Sequence, residues 1–129
     1  MSFEFAFEPK YRPLLAVLGV FPHTAWVSLT DDELEARFGL WRCRTPIANI
    51  VGVEVSGPYQ AIKAIGARGS LADGGATFGT TAAGGVCLKF AEPVKILDPT
   101  GRFRHPGLTV TVADPEEFAA AVTHARARL

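Results

Sequence analysis

This chain of 129 residues is poor in the side chains that most often announce chemistry. It has two cysteines, Cys43 and Cys87, with no CxxC spacing and no neighbouring histidine. Such a pair makes neither a zinc site nor a disulfide scaffold. Each sits in an alternating apolar stretch, where a cysteine is expected to act as a small buried hydrophobe. The three histidines, His23, His105 and His124, have no second ligand type three or four residues away. No metal site is expected from them.

Excess charge is also missing, since 13 Lys and Arg balance 13 Asp and Glu. Sequence-independent binding to nucleic acid is driven by counterion release and needs a basic face. No nucleic-acid partner is expected. The short basic clusters Arg42-Cys43-Arg44 and Arg102-Phe103-Arg104-His105 are offset by Asp31-Asp32-Glu33 and Glu116-Glu117. A solvated surface of mixed sign accounts for both.

Long apolar runs are absent. The longest goes from Leu14 to Phe21, far short of the roughly 20 residues that cross a bilayer. Lys10 and Arg12 precede it, but Glu4 and Glu8 spoil a basic leader and no A-x-A site follows. A cytoplasmic setting is expected. Two basic residues attract anionic lipid by only about 1 kcal/mol each, so membrane contact is not expected.

Catalytic motifs are missing too. No G-x-S-x-G carries a nucleophilic serine; Ser28 is expected on a strand, and Ser56 and Ser70 near turns. Residues 74–81 match G-x-x-x-x-G-x-T, but Thr80 stands where a phosphate loop needs lysine. The Ala82-Ala83-Gly84-Gly85 that follows cannot hold the required helix, and hairpin turns explain the glycines better. Glu54 is expected to face solvent, opposite Val53 and Val55. The sequence yields no catalytic, cofactor-binding or metal-binding residue, and an enzyme is not expected. Trp26, Trp41 and Tyr59 are expected to pack in the core or on hairpins, as large aromatics do.

What is present is strand alternation. Phe3, Phe5 and Phe7 share one face of an N-terminal strand. The run 14–21 is a short helix or a buried strand. Ala25, Val27 and Leu29 alternate, Thr30 to Glu33 form a polar tight turn, and Leu34, Ala36 and Phe38 alternate back. A third strand follows at Trp41 to Arg44, with Trp41 and Cys43 opposite Arg42 and Arg44, and Pro46 interrupts it. Val51, Val53 and Val55 are expected on one face of a fourth. Ser70-Leu71-Ala72 and Ala76-Thr77-Phe78 flank Asp73-Gly74, a hairpin-turn dipeptide. Val86, Leu88 and Phe90 alternate again. Residues 91–106 hold three prolines, Pro93, Pro99 and Pro106, and are expected to form a long loop.

Leu108, Val110 and Val112 make the last strand. Asp114 caps a helix, with Pro115 at its first position and Glu117 completing a capping box. Phe118, Ala121, Val122, Ala125 and Leu129 form its apolar stripe.

The succession of short strands, the step Pro46-Ile47-Ala48-Asn49-Ile50-Val51-Gly52-Val53-Glu54-Val55, and the close Val112-Ala113-Asp114-Pro115 into one amphipathic helix together resemble a bacterial pleckstrin-homology-like domain. The resemblance covers residues 24–129 of a single domain, leaving 1–22 as an N-terminal extension. It implies a mainly β fold, with strongly bent antiparallel sheets forming a barrel or sandwich capped by the C-terminal helix. Phe118, Val122 and Leu129 would plug the open end. The acidic Asp31-Asp32-Glu33 loop argues against a phosphoinositide ligand there. A non-catalytic interaction module follows, protein-binding or self-associating. The alternative is a small-ligand domain with an apolar pocket under the helix, of the SRPBCC or lipocalin type.

Overall fold

The computed structural model describes residues 1–57, 65–69, 75–81, 83–97 and 104–129. Its first sheet contains β1 (Ser2–Glu4), β2 (Ala25–Leu29), β3 (Glu33–Phe38) and β4 (Trp41–Pro46), in that spatial order. Its second sheet contains β5 (Ile50–Ser56), β6 (Gly66–Gly69), β7 (Ala76–Gly79), β8 (Gly85–Val94) and β9 (His105–Val110), in the order β5-β8-β9-β7-β6. Two helices complete the described fold: α1 (Arg12–Val17) and α2 (Pro115–Ala127). The fold is mainly β, and the sheets remain open as a sandwich rather than closing into a barrel. Pairing is antiparallel throughout except between β7 and β9.

The β2–β3 hairpin follows from simple alternation. Ala25, Val27 and Leu29 meet Phe38, Ala36 and Leu34 in register on the buried face. Its turn is closed by Thr30, whose backbone N–H donates to the Glu33 carbonyl at 2.9 Å. The Thr30 hydroxyl accepts from the Glu33 N–H at 3.2 Å. The outward arginines of β4 pair across the hairpin, Arg44 with Glu33 at 2.7 Å and Arg42 with Glu35 at 3.5 Å. They make the mixed, solvated surface expected of that cluster.

The core lies between the inner faces. Phe38 of β3 stacks on Phe78 of β7 with ring centroids 5.0 Å apart, joining the two sheets. The N-terminal segment is part of this core. Phe5 lies 5.4 Å from Phe38, and Phe3 meets Phe118 of α2 edge-on at 5.0 Å. A polar clasp holds the same segment to the second sheet. The Thr80 hydroxyl donates to the Ala6 carbonyl, and the Thr81 hydroxyl donates to Glu8. Thr80 N–H donates to the Thr111 hydroxyl at 2.8 Å.

Helix α2 begins as its sequence dictates. The Asp114 carboxylate accepts the Glu117 N–H at 3.1 Å, and Pro115 occupies the first turn. Phe118, Val122 and Ala125 are buried. Asp114→Ala should lower stability by about 1 kcal/mol, measurable as a shift in the urea midpoint at constant slope.

Several expectations need correction. Leu129 does not plug the core: it lies beyond the helix end and is 65% exposed. Val51 does not share the face of Val53 and Val55, because a bulge between Ile50 and Gly52 shifts the register of β5 against β8. Val51 is thereby 54% exposed. Residues 91–106 are not one long loop, since β8 continues to Val94 and β9 starts at His105. Pro93 is tolerated because the β8–β9 register is broken between Lys89 and Val94. There the Asn49 side chain stands in for a strand, accepting the Glu92 N–H at 2.8 Å and donating to its carbonyl at 3.0 Å. The strand opposite β7 is Gly66–Gly69. The expected strand Ser70-Leu71-Ala72 and the turn at Asp73-Gly74 lie outside the described residues, as does Tyr59.

Candidate functional site: an exposed apolar end

Two turns meet at one end of the first sheet. One is the connection from α1 into β2, and the other is the β3–β4 turn at Gly39-Leu40. The apolar run 14–21 becomes α1 and the turn after it, which resolves the helix-or-strand ambiguity. Leu15 and Val20 point inward and are fully buried. Gly39 lies against this turn. Its N–H donates to the Thr24 carbonyl at 2.9 Å, and a Cβ placed on it would lie 3.0 Å from the Gly19 carbonyl oxygen. Its φ of +61° is also one that favours glycine. The Thr24 hydroxyl ties the first turn together by donating to the Gly19 carbonyl at 3.0 Å.

The outward side chains here are large and apolar. Val17 is 84% exposed and Leu40 is 91% exposed, with Leu14 and Phe21 also exposed. Leu18 and Trp41, their neighbours in the chain, are half-buried and pack against the core. Single exposed apolar residues are ordinary, but a contiguous set usually marks a contact surface. Sequence periodicity leaves 14–21 open between helix and strand and does not find this set. Leu40 stands alone between Gly39 and Trp41 in the chain, and only the packing of Gly39 against Gly19 brings its turn to the turn that follows α1.

The charges are distributed unevenly about this end. Segments 9–30 and 36–53 contain no Asp or Glu. They contribute Lys10, Arg12, Arg37, Arg42 and Arg44. Arg12 lies over the Phe7 ring at 5.8 Å and, among the described residues, forms no ion pair. Lys10 is 3.7 Å from Glu8. The acidic Asp31-Asp32-Glu33 turn closes the opposite end of the β2–β3 hairpin.

A second feature is a cleft of about 560 Å³ over the second sheet. Cys87, Lys89, Thr77, Thr109 and Gly107 line it. The Lys89 stem crosses Gly52, where an added Cβ would lie 3.3 Å from the Lys89 Cβ.

The remaining sequence candidates are scattered. His23 is exposed and stacks on Phe21 at 5.6 Å. His105 begins β9 and is half-buried, and His124 is exposed on α2. Ser28 lies on β2 and Ser56 ends β5. Glu54 is exposed. Among the described residues, no three His, Cys, Asp or Glu side chains gather as a metal site. Thr80 of the glycine-rich segment is buried in the clasp described above. No described helix is long and apolar enough to cross a membrane.

The two cysteines occupy different environments. Cys43 is fully buried, and burial pushes its thiol up from 9.0 to about 12. Cys87 is half-buried in the cleft. A thiolate is the reactive form, so an alkylating reagent at pH 8 should modify Cys43 only through unfolding. Mass spectrometry with and without urea checks this. The sign of the pH effect follows. Below pH 9 the thiol is neutral in both states, and above it the unfolded chain loses the proton first. Stability from this group therefore falls between pH 9 and about 12. Its loss should reach about 4 kcal/mol at most, and Cys43→Ala should remove that component of the alkaline slope.

Comparison with protein-family models, curated proteins and solved structures finds no match.

Proposed function

We propose that this chain is a non-catalytic interaction module that docks through the end built from α1 and the β3–β4 turn. The observation that carries the reading is the exposed set Leu14, Val17, Phe21 and Leu40, on two turns fixed against each other by Gly39. Leaving such side chains in water forgoes about 1.5–3 kcal/mol per fully buried residue. A contact surface recovers that free energy, and a rigid platform reduces the ordering cost of binding. The pleckstrin-homology-like resemblance supports the same class of function, as a fold that presents a surface.

The test is photo-crosslinking in the living host, with a photoreactive side chain at position 17 or 40 and a control at position 116. Adducts at 17 and 40 but not at 116 are expected. Equal labelling at all three positions, or none at 17 and 40, would contradict the reading.

The cleft over the second sheet favours a second reading, a small-ligand domain. Its walls mix apolar groups with Lys89, Thr77 and Thr109. In this reading Lys89 would orient an anionic group while the exposed Val51 contacts an apolar body. Native mass spectrometry of protein from its own host tests it: a retained adduct of a few hundred daltons that Lys89→Ala removes would support it.

A further inference from the structure

We infer that the surface docked by the apolar end is an anionic lipid bilayer, an inference that rests on the docking face proposed above. Three observations lead there. First, Leu14, Val17 and Leu40 project from two short turns, with Trp41 half-buried at their base. Apolar tips with an amphipathic aromatic beside them suit the headgroup boundary, where side chains enter the acyl region and the indole stays at its edge.

Second, the charges left without an ion pair near this end are positive among the described residues. Segments 9–30 and 36–53 supply five cations and no carboxylate. The nearby Glu8 is occupied by the Thr81 hydroxyl and Lys10. Arg42 and Arg44 are engaged with Glu35 and Glu33 further along the sheet. Arg12 and Arg37, which form no ion pair among the described residues, are therefore the cations available to lipid headgroups, with Arg37 Nε donating to the Gly39 carbonyl at 3.3 Å. Third, the acidic turn Asp31-Asp32-Glu33 lies at the far end of the same hairpin. This separation favours an orientation with the α1 end toward a negative surface.

A second copy of the chain is less suited to the same face. Isologous pairing would bring the Arg12 and Arg37 charges of one copy toward those of the other. The sequence alone pointed away from membranes because it showed only Lys10 and Arg12 beside residues 14–21. The fold adds Leu40, Trp41 and Arg37 from elsewhere in the chain.

Co-sedimentation with vesicles tests the inference. Vesicles of phosphatidylcholine alone would be compared with a 7:3 mixture of phosphatidylcholine and phosphatidylglycerol, at low and high salt. Binding to the mixed vesicles is expected, at least tenfold stronger than to phosphatidylcholine alone and weakened by salt. Val17→Asp and Leu40→Asp should each reduce it tenfold or more, and Arg12→Glu should reduce it severalfold. These positions are exposed, so circular dichroism should show each variant folded. Failure to bind the mixed vesicles, or binding indifferent to Val17→Asp and Leu40→Asp, would overturn the inference. If crosslinks at positions 17 and 40 yield a protein while the mixed vesicles are ignored, the docking face stands and the lipid assignment fails.

Discussion

Phe38→Ala is expected to lower the free energy of unfolding by about 3–5 kcal/mol, the usual cost of emptying a buried aromatic site. Phe38 is fully buried and touches both Phe78 and Phe5. The removed ring spans the two sheets and the N-terminal segment at once, so little around it can collapse into the gap. A domain of this size has roughly 5–15 kcal/mol of total stability. The variant should therefore be marginal at 37 °C. Urea unfolding followed by tryptophan fluorescence reads the change. Phe38→Leu should recover a large part of the loss, because it refills most of the volume. Equal losses for the two variants would mean that packing volume at this site is not what holds the sheets together.

Thr111→Val is expected to cost about 1–3 kcal/mol, although it preserves side-chain shape. The Thr111 hydroxyl accepts the Thr80 N–H at 2.8 Å and lies 3.0 Å from the Thr80 hydroxyl. All three groups are buried, and a methyl there leaves a backbone donor without a partner. Thr80 in turn holds the Ala6 carbonyl. Residues 1–8 should then loosen before the rest of the molecule. Hydrogen exchange would show faster exchange at the Ala6 amide, which donates to the Thr111 carbonyl at 2.9 Å. A double-mutant cycle with Thr80→Ala should give a coupling of about 0.5–3 kcal/mol. Simple additivity would show that the clasp is not cooperative.

The elements read most directly from sequence are those whose determinants are local. The β2–β3 hairpin is specified by alternation on both strands and by a Thr-Asp-Asp-Glu turn whose hydrogen bonds lie within four residues. Helix α2 is specified by Asp114, Pro115 and a buried stripe at helical spacing. The β5 bulge was not legible, because Val51, Val53 and Val55 alternate normally and only the pairing with β8 reveals the extra residue. The run of β8 through Pro93 was hidden for a related reason: a side chain distant in sequence, Asn49, satisfies the Glu92 backbone. The docking end combines both cases. Its helix lies in one local run, whereas Leu40 joins it only through the contact of Gly39 with Gly19. Periodicity within a segment cannot report such contacts between segments.

The functional reading depends on orientation, so the decisive measurement is hydrogen–deuterium exchange with and without saturating 7:3 phosphatidylcholine–phosphatidylglycerol vesicles. Protection is predicted in residues 12–21 and 38–42, with the acidic turn at 30–33 and helix α2 unchanged. Unchanged exchange across 12–21 and 38–42, or protection concentrated at the acidic turn, would contradict the account.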